Sequence, residues 1–184
     1  MRVISSWGGN AKIKSVQGAI SNARGHDFED CLDRACQFYK ERGKAYIEKT
    51  PEPFKCLKKN KQGRAVVQFI HRAQPDYKGV LPNGQAIIFE AKCTGKDRIQ
   101  QGVLTDNQAE MLRAYRRLGA YTAVCVGIQD RYFFVPFEVF DSMVTIFGRK
   151  YATAKDLQPW AVRFNGNAVF FLDNVLISDG RRER

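Results

Sequence analysis

Asp76, Glu90 and Lys92 are the residues whose types and spacing point most directly to chemistry. They sit in the strings Gln74-Pro75-Asp76-Tyr77 and Ile87-Ile88-Phe89-Glu90-Ala91-Lys92. In an extended strand alternate side chains share a face, so Glu90 and Lys92 point one way while Phe89 and Ala91 point the other. Opposite charges in an otherwise apolar strand are costly unless they pair with each other or meet a ligand. Asp76 precedes a hairpin that returns it beside Glu90. Two carboxylates so placed can hold a hard divalent cation, for which Mg²⁺ is the obvious choice among oxygen-ligated metals. The cation would polarise a scissile phosphate and generate hydroxide from water. A lysine on the same face would orient that water or offset charge on the pentavalent transition state. The set suits metal-assisted phosphodiester hydrolysis. Taken alone, Glu-x-Lys is equally well explained by a strand salt bridge.

Two further residues bear on the choice. Gln108 shares a helical face with Met111, Leu112 and Tyr115 and should point towards the sheet, where its carbonyl could ligate a metal or anchor water. The same glutamine fits the third position of a capping box opened by Thr105. Glu29 lies at the edge of the apolar stripe of a first helix, where it could accept a proton or support the metal site; a surface salt bridge is the competing role.

The elements that must position these groups can be read from periodicity. Asp27 opens a helix to about Tyr39, with Phe28, Leu32, Ala35 and Tyr39 on one stripe. Lys44–Lys49 and Ala65–His71 read as strands, and Phe54–Gly63 as a projecting basic hairpin or loop. Tyr77–Leu81 and Gln85–Cys93 form a hairpin about Pro82-Asn83-Gly84. A second helix runs from Thr105 to about Leu118. Tyr121–Ile128 and Arg131–Val135 are strands, a short helix spans Pro136 to about Met143, Thr153–Leu157 is a single turn, and Ala168–Leu172 is a last strand. The order predicts an α/β fold, a mixed sheet flanked by helices. Residues 1–25 read as a flexible basic arm, 26–178 as the main domain with a stalk segment at about 53–66, and 179–184 as a basic tail.

Charge narrows the partner. In 184 residues, thirty Lys plus Arg against nineteen Asp plus Glu leave a net charge of +11, which favours a polyanion and above all nucleic acid. Much of the excess sits in two acid-free runs: Arg2, Lys12, Lys14 and Arg24 before Asp27, and Lys55, Lys58, Lys59, Lys61, Arg64 and Arg72 between Glu52 and Asp76. Such runs are candidate phosphate contacts, as are Arg113, Arg116 and Arg117 on the second helix. The five cysteines include no C-x-x-C pair and there are two histidines, so neither a disulfide framework nor a Cys/His zinc site is supported. No apolar signal core and no run of transmembrane length is present, which predicts a soluble, cytoplasmic protein. Neither an RNP aromatic motif nor a zinc finger supports an RNA-binding module.

In these strings the sequence resembles the RecU family of Holliday-junction resolvases, within the PD-(D/E)-x-K nuclease superfamily. The likeness rests on A-R-G-H-D-F-E-D at 23–30, K-T-P-E-P at 49–53, P-D-Y-K-G at 75–79, I-F-E-A-K at 88–92 and N-Q at 107–108. It implies a restriction-endonuclease-like fold, Asp76 and Glu90 as metal-binding carboxylates, Gln108 as a metal-associated glutamine, Lys92 as the catalytic lysine and Glu29 as the first-helix acid. It also implies a homodimer that nicks opposed strands of a four-way junction with Mg²⁺ or Mn²⁺, and a basic stalk that enters the junction. Where the family tends to have Thr-Thr before its aspartate, this chain has Gln74-Pro75; Gln74 would then serve the metal through its amide oxygen or not at all. The alternatives are the same chemistry on flap, fork or duplex DNA, and a DNA-structure-binding protein that does not cut.

Overall fold

The protein is described as a computed structural model over residues 9–69, 74–173 and 175. Helix α1 spans Gly9–Glu41, and its C-terminal half buries Phe28, Leu32, Ala35, Cys36 and Tyr39, the expected stripe. The helix begins well before Asp27, so residues 9–25, expected from composition to form an arm, are helical. Ala, Lys, Gln and Arg in that stretch favour helix and no proline interrupts it, while each isolated glycine costs only about 1 kcal/mol.

Next come β1 (Tyr46–Lys49), β2 (Phe54–Lys59), β3 (Ala65–Phe69), β4 (Tyr77–Val80), β5 (Ala86–Thr94) and β6 (Arg98–Gln100). Helix α2 (Asp106–Arg117), β7 (Tyr121–Ile128) and β8 (Arg131–Pro136) follow. The short helix expected after Pro136 is two, α3 (Phe137–Asp141) and α4 (Met143–Phe147), and β9 (Tyr151–Thr153), β10 (Arg163–Phe164) and β11 (Val169–Phe170) complete the order. The central sheet has the order β1-β4-β5-β7-β8, with β5 and β7 parallel and the other neighbours antiparallel. A parallel pair needs a long crossover, and the segment carrying β6 and α2 supplies it. The strand expected at Ala65–His71 pairs with β2 in a separate hairpin, with His71 outside the described residues. The β6–β9 pair is a strand ribbon that periodicity does not reveal, each strand being only three residues long.

Each sheet face carries its own core. On one, the stripe of α1 packs with Tyr77, Phe89, Phe134 and Phe171; Tyr77 stacks on Phe89 with centroids 4.7 Å apart. On the other, Ile88, Val124, Val126, Phe133 and Val135 meet Leu112, Phe137, Phe140 and Met143. Gly79 of β4 stands opposite Ile47 of β1, and a Cβ there would lie 2.2 Å from the Tyr46 carbonyl oxygen. The edge strand can lie flush only because this residue has no side chain. Gly84 closes the β4–β5 turn at φ 83°, a left-handed value that glycine adopts without steric cost.

Candidate active site

The register of β4 and β5 sets the site. Tyr77 pairs with Phe89, so one step beyond that pair Asp76 stands opposite Glu90. Asp76 is pinned twice: its carbonyl accepts from Thr50 N at 2.8 Å, and its Oδ2 accepts from the Ala91 backbone N–H at 2.8 Å. Lys92 bridges both acids, with Nζ 2.7 Å from Glu90 Oε2 and 3.3 Å from Asp76 Oδ2. Glu90 is wholly buried, whereas the Asp76 side chain keeps 29% of its surface and Lys92 16%. The site therefore opens on the Asp76 side.

Gln108 plays both roles that its position offers. Thr105 and Gln108 form a capping box at the start of α2, with Gln108 Oε1 accepting from Thr105 N at 3.1 Å. Its Nε2 donates to Glu90 Oε2 at 2.6 Å. The cap that starts the helix thus also holds the glutamate. As a metal ligand the amide would have to turn its oxygen inward, which gives up the cap bond to Thr105.

Burial pushes the Glu90 carboxyl up to about 7, with Lys92 opposing the rise and the Asp76 charge adding to it. For Lys92, burial works against the ammonium, but Asp76 and Glu90 together outweigh it and hold the group above its ordinary value. Lys92 is therefore a cation at neutral pH and a donor, not a base. Glu90 Oε2 takes bonds from both Lys92 and Gln108, while Oε1 is buried without a partner among the described residues. A buried carboxylate oxygen left unpaired is costly and calls for a cation or water. Among the described residues no three His, Cys, Asp or Glu side chains cluster, so the acidic donors are Asp76 and Glu90. Hard oxygen donors and an orphaned buried oxygen fit a hard divalent ion.

Glu29 reaches the same place from α1. It lines a cleft of about 280 Å³ with His26, Phe28, Ala91, Lys92, Cys93 and Val103. Its Oε2 also accepts from Lys49 Nζ at 2.7 Å, so the surface-salt-bridge role and the cleft-lining role coincide. That bond is the main reason the Lys49 ammonium is held above its usual value. The fastening of α1 at this point was not foreseen from the sequence. The Tyr77 hydroxyl donates to Asp33 Oδ1 at 2.7 Å and lies 3.2 Å from the Glu29 carbonyl. Asp33 lies four residues after Glu29 on the same helical face, but its partner Tyr77 is distant in the chain, so no local pattern announced the bond.

The remaining candidates divide. Gln74 is half-buried two residues before Asp76 and makes no hydrogen bond among the described residues. Lys55, Lys58, Lys59, Lys61 and Arg64 all lie on the exposed β2–β3 hairpin, whose turn is tied by Asn60 Oδ1 accepting from Gln62 N and Arg64 N. Arg113 is paired with Asp141 at 2.6 Å and with Glu110, Arg116 with Glu138, and Arg117 with Glu110, so the charge of these three is balanced locally. Arg72 and the Arg24 side chain lie outside the described residues, as does the 179–184 tail. No helix among the described residues is long and apolar enough to cross a membrane.

Known proteins share parts of this chain. The Holliday junction resolvase RecU of Geobacillus kaustophilus (strain HTA426) is 32% identical over 110 residues, 57% of this chain. The match covers 54% of that protein, so the chain spans about half the length of the curated relative. The structure is also similar to that of Archaeoglobus fulgidus Hjc, a Holliday junction resolvase from an archaeal hyperthermophile, at a TM-score of 0.47 and 12% identity, covering 74% of this chain and 93% of that one. The family described as recombination protein U, RecU, matches residues 23–175, a span that takes in α1 from Ala23 onward, the basic hairpin and every residue around Glu90. This chain belongs to the RecU family.

Proposed function

We propose that the protein is a divalent-metal-dependent endonuclease that resolves four-way DNA junctions by paired nicks, acting in the cytoplasm as a homodimer with Mg²⁺ or Mn²⁺. The carrying observation is the buried Glu90, bonded through Oε2 to Lys92 and Gln108, with its Oε1 unpartnered among the described residues and Asp76 opposite it. Asp76 and Glu90 would hold the cation, which would supply Lewis-acid polarisation of the scissile phosphate and a lowered pKa for bound water. Lys92, kept charged by its two acids, donates to the attacking water or to a phosphoryl oxygen and offsets negative charge in the transition state. Gln108 fixes the Glu90 carboxylate so that its free oxygen stays available. Glu29, restrained by its ion pair with Lys49, orients or accepts the proton of the nucleophile. Phosphate contacts from the hairpin bases and from the segment carrying Arg24 hold the DNA without reading its sequence. Paired cuts follow from symmetry, since two like nicks need two like sites.

The test is a substrate competition. Synthetic four-way junctions, flaps and linear duplex are offered at matched concentration, with Mg²⁺, with Mn²⁺ and with chelator, to the wild type and Asp76→Asn. Metal-dependent cutting that favours the junction, and is lost in Asp76→Asn, is the expected result. Equal cutting of linear duplex would replace the resolvase reading with a general nuclease. Binding without cutting in either metal would leave a DNA-structure-binding protein.

A further inference from the structure

The β6–β9 ribbon carries a second charged surface outside the hairpin. Its antiparallel register pairs Arg98 with Thr153, Ile99 with Ala152 and Gln100 with Tyr151. Ile99 and Ala152 are buried in the second core, so by strand alternation Arg98, Gln100, Tyr151 and Thr153 form the outward face. Lys96 and Lys155 flank the Arg98–Thr153 end of the ribbon, and Lys150 flanks the other end, where its carbonyl accepts from Gln101 N at 2.9 Å. The guanidinium groups of Arg98 and Arg149 both lie over the Tyr151 ring, at 4.9 and 4.8 Å from its centroid. Asp97 and Asp156 pair with those two arginines. Lys96, Lys150 and Lys155 are exposed and have no ion-pair partner among the described residues. This contrasts with Arg113, Arg116 and Arg117, whose charges are balanced by acids.

The ribbon also leads to the site. Val103, just past the Gln101 junction with Lys150, lines the cleft that holds Lys92 and Glu29. We infer that the outward face of the β6–β9 ribbon is a DNA-backbone track that receives the duplex arm leaving the catalytic cleft. The three residues of β9 span roughly 10 Å. At about 3.4 Å of axial rise per phosphate along one strand, that reaches several successive phosphates. Lysines on a ribbon rim, with arginines tethered to a tyrosine, suit phosphates rather than base edges, so the surface should be indifferent to sequence.

The inference rests on the nuclease reading only for its direction, and its test separates the two. The whole 184-residue chain is compared as wild type and as Lys96→Ala/Lys150→Ala/Lys155→Ala. A Lys40→Ala/Arg42→Ala/Lys44→Ala variant removes the same charge near the far end of α1. Binding to junctions with short and long arms is measured without metal over a range of salt. The ribbon variant should bind long-armed junctions roughly tenfold or more weakly, and its log–log salt slope should shrink by about 2–3, nearly one for each phosphate that the three lysines no longer neutralise. Short-armed junctions should bind it almost as the wild type does. An unchanged salt slope, or an equal drop in affinity in the α1 variant, overturns the track. A wild type that binds in this pattern but cuts nothing would overturn the nuclease reading and leave the track standing.

Discussion

Glu90 carries the sharpest residue-scale consequences, because its carboxyl is raised to about 7 mainly by burial. An acid whose folded value exceeds its unfolded one binds more protons when folded, so stability falls as pH rises from about 4.5 to about 7 and levels off above. Glu90→Gln removes that slope. Thermal melts from pH 5 to pH 8 should show the variant gaining on the wild type by roughly 1–3 kcal/mol in total. A constant difference would mean that the carboxyl is ionised throughout. Cation binding competes with the Glu90 proton, so calorimetric Mg²⁺ or Mn²⁺ affinity should rise with pH to about 7 and then flatten, with proton release on the acid side. If Lys92 donates to the reacting groups as proposed, Lys92→Ala should lower the single-turnover cleavage rate roughly 10²- to 10⁴-fold with junction affinity little changed. A fall in binding in step with the fall in rate would assign Lys92 to holding DNA instead.

At the scale of elements, helix α2 and strand β4 do more than pack. Thr105 caps α2, and the same capping box holds Gln108 against Glu90. Thr105→Ala should cost about 1 kcal/mol in urea unfolding. It should also weaken metal binding, which an ordinary cap on a distant helix would leave alone. Tyr77→Phe removes the hydroxyl that ties β4 to Asp33 and should cost about 1–3 kcal/mol, since it leaves a half-buried carboxylate short of a partner. The capping box, the Asn-Gly hairpin and the Glu90/Lys92 alternation were legible in the sequence because each depends on neighbours within a few residues. Other features depend on groups distant in the chain and left no local mark. The Tyr77–Asp33 bond spans α1 and β4, the Ala91 N–H that seats Asp76 is a backbone group, and β6 and β9 are too short to show a period. The fate of Arg113, Arg116 and Arg117 was hidden likewise: their charge was visible, but Asp141 and Glu138, which absorb much of it, lie beyond β8.

Across the whole molecule, the basic surfaces and the acidic centre occupy separable parts. From Phe54 to Gln68 the β2–β3 hairpin is exposed apart from the half-buried Val67, with Phe54, Leu57 and Val66 open to solvent, and none of these residues belongs to either core. Replacing residues 54–69 with a short Gly/Asn turn should therefore leave the melting temperature within a few degrees of the wild type while lowering discrimination between junction and duplex. A large fall in melting temperature would show that the hairpin supports the fold. The net charge of +11 thus resolves into at least two surfaces, the hairpin and the β6–β9 ribbon, around one acidic centre. The most direct test of the central claim is a single-turnover assay on a four-way junction with each strand labelled in turn, comparing the wild type with Lys92→Ala at equal bound fraction. Mg²⁺-dependent nicks at matching positions in two opposed strands, absent from Lys92→Ala, are the predicted result. Cutting that persists in Lys92→Ala, or an intact junction under saturating binding in both Mg²⁺ and Mn²⁺, would contradict it.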